Sequence, residues 1–234
     1  KINEVMSYAS AGIVLYEGME QPFITSASIN QKFSVINIGV PTDNFETAHF
    51  TDSKRINFLA VGRFVEKKAP LITIMAFELC ADQNPNVILN MVGNGNLYEK
   101  AVSYVTTSRH KDKINLLGYL TQTELKPVYE ASHIFLQHSV TAKDGNTEGW
   151  PVGIAEACAS GLPIISTNHA GIPYQVYHGK NGYLVEEGDV NAMAEFMINL
   201  SFDFNKCIEM GQSSRKIIAE KGDSKKQIEK LAMQ

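Results

Sequence analysis

The sequence predicts an α/β fold, a parallel sheet with helices on both faces, and three observations predict it. Short apolar runs of strand length alternate with stretches of helical periodicity. Turn residues punctuate the boundaries, at Asn84-Pro85, Gly93-Asn94-Gly95 and Lys180-Asn181-Gly182. The repeated order of strand, helix, strand then demands parallel neighbours, because a helix carries the chain back over the sheet and covers it.

Taken in order, strands are expected at 13–16, 34–38, 56–61, 87–92, 114–117, 134–137, 163–166 and 183–185. Helices are expected at 69–82, 97–108, 123–131, 152–160 and 190–200, with further helix after Asn205. The helix from Val152 has the sharpest signals. Pro151 has a fixed φ and no N–H, which suits a first helical position, and Gly161 supplies a stop. The first 53 residues hold two short strands separated by residues 17–31, without a complete sheet of their own. They are expected to form a tail and linker (1–53), followed by the sheet domain (54–220) and a C-terminal helix (221–234).

Composition excludes several classes. With 234 residues, 25.8 kDa and 44% apolar content, the chain has material for one sizeable core or two modest ones. A net charge of −4 and a pI near 5.9 argue against a nucleic-acid-binding surface. No apolar run approaches a membrane span, and Lys1-Ile2-Asn3-Glu4 lacks the apolar core of a signal peptide. Cys80, Cys158 and Cys207 are scattered through helical patterns without metal spacing, so they read as buried, reduced thiols of a cytoplasmic protein.

Two stretches carry chemistry. In Glu148-Gly149-Trp150-Pro151-Val152-Gly153-Ile154-Ala155-Glu156, two carboxylates stand eight positions apart around a small-residue turn that opens a helix. The free N–H groups at the start of such a helix hold phosphate, and ionised carboxylates accept hydrogen bonds from vicinal hydroxyls of a ribose or hexose. In isolation each glutamate also fits a solvated surface role. The second stretch, Val61-Gly62-Arg63-Phe64-Val65-Glu66-Lys67-Lys68-Ala69-Pro70, follows the strand at 56–61. Ligands of open α/β sheets sit outside the carboxyl ends of strands, where Arg63 and Lys68 would meet a diphosphate and neutralise it without a metal.

These stretches occur in an ordered string with Val92-Gly93-Asn94-Gly95, Leu117-Gly118-Tyr119-Leu120, Gly171-Ile172-Pro173 and Asn181-Gly182-Tyr183-Leu184-Val185. Over roughly residues 33–234 the string resembles the retaining glycosyltransferases of group 4, the two-Rossmann-domain class. The lead-in Ser139-Val140-Thr141-Ala142-Lys143-Asp144-Gly145 is similar to exopolysaccharide and colanic-acid-type enzymes. The resemblance implies a Rossmann-like domain, the donor half of a two-domain glycosyltransferase that moves a hexose from a UDP- or GDP-linked sugar to a saccharide or lipid-linked acceptor. It implies that Arg63 and Lys68 hold the diphosphate, Glu156 the ribose and Glu148 the transferred hexose. Gly149 and the amides of Trp150 and Val152 would surround sugar and phosphate, Tyr119 and Leu120 would meet the base, and Gly93 and Gly95 would line the cleft. No cofactor and no metal is implied beyond the donor. Peripheral contact with the inner face of a membrane would fall to an N-terminal acceptor half, and this chain alone is expected to bind donor without transferring it.

Several residues depart from the family pattern. Pro151 and Ala69 stand where glycines are usual, Tyr174 where an acid follows Ile-Pro, and Pro41 where an Asp follows Gly-Val. His138 and His169 sit at strand ends near the expected cleft, and each equally fits a satisfied strand terminus; His110 and His133 read as solvent-facing or helix-end residues. A nicotinamide dehydrogenase is excluded because Gly93-Asn94-Gly95-Asn96-Leu97-Tyr98 lacks the third glycine of the fingerprint and no ribose-anchoring acid follows. A sugar-nucleotide epimerase and a non-catalytic nucleotide-sugar-binding module remain as alternatives.

Overall fold

The computed structural model describes residues 11–21, 23, 32–48 and 55–233. Two short strands, β1 (Ala11–Val14) and β2 (Lys32–Val35), pair in parallel. Six more strands form one parallel sheet: β3 (Ile56–Val61), β4 (Val87–Val92), β5 (Ile114–Gly118), β6 (Ile134–Gln137), β7 (Ile164–Thr167) and β8 (Gly182–Val185). Their order is β5-β4-β3-β6-β7-β8. The helices are α1 (Pro70–Gln83), α2 (Tyr98–Thr107), α3 (Gln122–Glu130), α4 (Val152–Ala159), α5 (Val190–Phe202), α6 (Phe204–Lys221) and α7 (Ser224–Ala232).

That strand order fixes where a ligand belongs. From β3 the chain steps outward through β4 to β5, then returns to lay β6 against the other side of β3 and steps outward the opposite way. Between β3 and β6 the direction of winding reverses, and the loops leaving their carboxyl ends part to form a crevice. Those loops carry Arg63 and Lys68 on one side and Glu148 on the other.

Both faces of the sheet are covered, as the pattern of apolar runs predicts. Successive strand residues point to opposite faces, so Phe58 packs with Ile74 and Phe77 of α1, while its neighbour Leu59 packs with Ile154 and Cys158 of α4. Leu136 and Phe135 divide in the same way. The second face extends to Val40, Phe45 and Ala48, ahead of the sheet. Val40 is held from both sides: its N–H donates to the Gly222 carbonyl at 2.9 Å and its carbonyl accepts from the Ser224 N–H at 3.0 Å.

Strands β3, β4 and β6 coincide with the sequence expectation, and the differences elsewhere have local causes. β1 lies two residues early, because the chain leaves it in a turn through Gly18, whose φ is +90°, and β2 starts two residues early and ends three early. β7 starts one residue late because Pro163 has no N–H for the ladder, although its carbonyl accepts from Phe135 at 2.9 Å. Pro151 sits just before α4 with ψ of 114°, not inside it, and its carbonyl takes the Ala155 N–H at 3.2 Å. α3 tolerates Pro127 and is anchored by a capping box, in which Thr121 and Glu124 satisfy each other's backbone N–H.

Ala69, where a glycine is usual, takes the glycine conformation with φ of 37° and ψ of 52°. A left-handed alanine costs about 1–2 kcal/mol, and a glycine loses about 0.4–1 kcal/mol through the freer unfolded chain. Ala69→Gly is therefore expected to leave stability unchanged or raise it by up to about 1.6 kcal/mol, read from urea unfolding. A loss of stability of the size seen for a glycine in a helix interior would refute it.

Candidate functional site

The loop after β3 owes its course to two glycines on the neighbouring strand end. Gly62 N–H donates to the Val92 carbonyl at 3.0 Å, Phe64 N–H to Asn94 at 2.9 Å, and Leu97 N–H to Phe64 at 2.9 Å. Gly93, with φ of +135°, would place a Cβ 1.9 Å from the Gly62 carbonyl oxygen, and one on Gly95 would lie 2.4 Å from that of Phe64. The close approach expected of these glycines is thus made by the protein's own backbone, which they press against the Arg63 loop. Arg63 and Lys68 line a small cavity at the end of β3 together with Gln137 of β6.

Lys68 reaches across the crevice. Its Nζ lies 3.1 Å from Glu148 Oε1, with the two side chains 17% and 6% exposed. Oε1 is buried and accepts no hydrogen bond of good geometry from the described residues, so the pair is an ion pair by distance, with lone pairs on Oε1 that no described donor takes up. Burial pulls the Lys68 ammonium below the usual lysine value; Glu148 opposes the shift, and Lys67 and Arg63 add to it. Lys67 turns the other way and ties the loop before Glu148, donating to Asn146 Oδ1 at 3.2 Å and the Thr147 carbonyl at 3.0 Å.

Behind Glu148, α4 begins without a side-chain cap, leaving the first N–H groups of the helix, Val152 among them, directed toward the crevice. Val152 is partly exposed, whereas Trp150 is buried with its indole Nε1 lacking a partner among the described residues. Gly149 is closed in, since a Cβ there would meet Leu15 at 2.6 Å. Further along α4, Glu156 is buried and held from α3. Gln122 Nε2 donates to Oε1 at 3.0 Å and the Tyr129 hydroxyl to Oε2 at 3.0 Å. Burial and then the Glu156 charge push the Tyr129 phenol up, so it stays a donor. Tyr119, after β5, is 75% exposed, and Leu120 packs against the core beside it.

The sequence reading did not single out Gln122, Tyr129 or Glu187, and left His169 open. Glu148 N–H donates to His169 Nε2 at 3.1 Å, and His169 Nδ1 lies 2.5 Å from Glu187 Oε1. Gln122 and Tyr129 carry no signature in the sequence beyond their place on one helix. His133 and His138 are buried at the strand ends, and His138 Nε2 accepts the Gly188 N–H at 2.8 Å. His110 pairs with Asp82 at 2.7 Å, far from the crevice on α1.

Burial pulls His138 down to about 4, against the opposing pull of Glu187 and Asp189. The unfolded chain, with histidine near 6.5, binds the extra proton first, so this contribution to stability is full above about pH 6.5 and is lost as pH falls toward 4. The loss amounts to about 3 kcal/mol. His138→Gln is expected to flatten the fall in unfolding free energy between pH 7 and pH 4.5, and an unchanged slope would contradict the burial argument.

The three thiols are buried, and burial pushes each up to about 12, which leaves no thiolate for nucleophilic work. Among the described residues no group of three or more His, Cys, Asp or Glu side chains is arranged to hold a metal ion, and no helix is long and apolar enough to cross a membrane.

The family model of the glycosyl transferases group 1 matches residues 42–217. The amylovoran biosynthesis glycosyltransferase AmsK of Erwinia amylovora is 32% identical over 173 residues, 73% of this chain and 42% of AmsK. The putative colanic acid biosynthesis glycosyltransferase WcaL of Salmonella typhimurium is 30% identical over 172 residues, 73% of this chain and 42% of WcaL. The chain thus spans under half the length of these relatives. A crystal structure of HepE from Anabaena in complex with UDP matches with a TM-score of 0.85 at 19% identity, over 99% of this chain and 65% of that one. The likeness establishes the Rossmann-like α/β fold. The family match takes in the loops of Arg63, Lys68 and Glu148 together with Glu156 on α4, and the chain belongs to the glycosyl transferases group 1 family.

Proposed function

We propose that this chain supplies the donor site of a retaining glycosyltransferase, which moves a hexose from a UDP- or GDP-linked sugar to a saccharide or lipid-linked acceptor in polysaccharide biosynthesis. The observation that carries the reading is the contact of Lys68 Nζ with Glu148 Oε1 at 3.1 Å, which brings the cationic loop and the acidic loop together at the switch point of the sheet. Donor diphosphate would lie between Arg63, Lys68 and the start of α4, where positive charge and N–H groups face its oxygens. Glu148 would accept from hexose hydroxyls, and Glu156, fixed by Gln122 and Tyr129, from the ribose. Tyr119 and Leu120 would meet the base. In transfer, the same cations would stabilise the charge that grows on the departing diphosphate, so no metal is needed for that step. Relatives named for amylovoran and colanic acid biosynthesis support the polysaccharide setting and a transferase in preference to an epimerase. A cytoplasmic site of action, with peripheral membrane contact through an N-terminal acceptor half, is part of the same proposal.

Calorimetric titration of the chain with UDP, GDP, ADP and their hexose conjugates tests this. Saturable binding of one of them is expected, weakened by Glu156→Ala and unaffected by EDTA. Failure of all to bind, or binding lost in EDTA and restored by Mn²⁺, would overturn the reading.

A further inference from the structure

We propose that His169 and Glu187 are positioning residues for Glu148, aiming its carboxylate at the donor sugar through its backbone; the sugar contact itself rests on the function proposed above. The need for such a device follows from the side chain. Apart from the Lys68 ammonium, no hydrogen-bond or ion-pair partner among the described residues holds Glu148 Oε1, so the backbone that carries the side chain does most to set its direction. That backbone comes at the end of a loop whose residues 143–147 are solvent-exposed.

The loop is fastened at both ends to one carboxylate. At its start, Thr141 N–H donates to Glu187 Oε2 at 2.9 Å, and the Thr141 hydroxyl lies 3.3 Å from Oε1. At its end, Glu148 N–H donates to His169 Nε2 at 3.1 Å, and the ring's Nδ1 meets Glu187 Oε1 at 2.5 Å. Because Nε2 accepts, the neutral ring carries its proton on Nδ1 and donates it to Glu187. Both ring nitrogens are therefore engaged and the ring is 3% exposed, which leaves His169 no nitrogen to exchange protons with a substrate.

The backbone under the ring is shaped for this contact. Ala170 takes a left-handed φ of 46°, and Gly171 lies so near the loop that a Cβ on it would sit 1.7 Å from the Gly149 carbonyl oxygen. The turn 169–171 thus backs directly onto residues 148 and 149. Glu187 is braced from beneath, where His138 Nε2 takes the N–H of the next residue, Gly188, at 2.8 Å. Burial raises the Glu187 carboxyl, but hydrogen bonds from Thr141 and His169 outweigh it and hold the group below the usual carboxylate range, ionised and ready to accept.

The test compares His169→Phe, Glu187→Ala and Glu187→Gln in the whole chain. Hydrogen exchange at the Glu148 amide is measured without ligand. His169→Phe and Glu187→Ala are expected to speed it about tenfold or more relative to the strands, and Glu187→Gln, whose single amide oxygen can still accept from His169 Nδ1–H but not also from the Thr141 N–H, to speed it less. Unchanged exchange in His169→Phe overturns the proposal, whether or not any nucleotide binds. Calorimetry with UDP against UDP-glucose, and GDP against GDP-mannose, supplies the second readout. For the pair that the wild type binds, the sugar conjugate is expected to lose about tenfold in affinity while the free diphosphate changes less than about twofold. An equal loss for both ligands would mark a general structural role and refute the positioning role. Wild-type chain that binds neither pair would instead count against the proposed function, with the exchange result still deciding the hydrogen-bond chain.

Discussion

Lys68→Met is expected to lower both stability and diphosphate affinity, and the two losses come from different partners. The Glu148 carboxylate is 6% exposed and 3.1 Å from the ammonium, so removing Lys68 leaves a buried charge uncompensated. Breaking such a pair costs about 3–5 kcal/mol, and the opening of the crevice to water places this site at the low end. The second loss is the charge-assisted contact with diphosphate, worth about 1.5–3 kcal/mol. Pairing Lys68→Met with Glu148→Gln separates the terms. The double variant carries no orphaned charge and should regain most of the stability, yet it should still bind nucleotide weakly. Urea unfolding and calorimetry on the two variants decide the matter, and a Lys68→Met chain with wild-type values in both would show that the ion pair is incidental.

Gly93→Ala is expected to be strongly damaging, because it combines backbone strain with a clash. Its backbone stands at φ of +135°, outside the range of L side chains, and the new Cβ would lie 1.9 Å from the Gly62 carbonyl oxygen. Backbone strain of this kind costs about 1–3 kcal/mol, and the clash with main chain that cannot step aside adds to it. A total near 4 kcal/mol would consume much of the roughly 5–15 kcal/mol by which domains are stable. Gly145→Ala is the control, with φ of +79° and nothing within 4 Å, and should cost about 1 kcal/mol. Similar unfolding midpoints for the two variants would show that the contact between the β3 and β4 loops is soft.

The contrast between those glycines shows what the sequence reveals. Runs such as Ile56-Asn57-Phe58-Leu59-Ala60-Val61 are short, apolar and bounded by turn residues, so their strands are legible to the residue. Lys68 and Glu148 are legible as a site because each follows a strand end that the parallel topology brings to the same edge. The absence of a Cβ at Gly93, by contrast, looks the same in sequence whether a ligand or another strand's carbonyl comes close. His169 and Glu187 stand 18 positions apart with no periodic relation, and only the pairing of β7 with β8 sets the loops that carry them side by side. Glu156 was legible as a carboxylate on a helix, while its donors Gln122 and Tyr129 come from a different helix whose packing no local pattern encodes.

The clasp at Val40 has a consequence for the chain as a piece of architecture. Val40 N–H meets the Gly222 carbonyl and Ser224 N–H meets the Val40 carbonyl, so the two ends of the segment 40–224 lie side by side. A unit whose two ends touch is a closed ring in all but one bond. It can be set into, or lifted out of, a longer polypeptide without stretching either flank, and a break opened at an exposed turn such as the one around Gly145 could be exchanged for a join at Val40 with the sheet left intact.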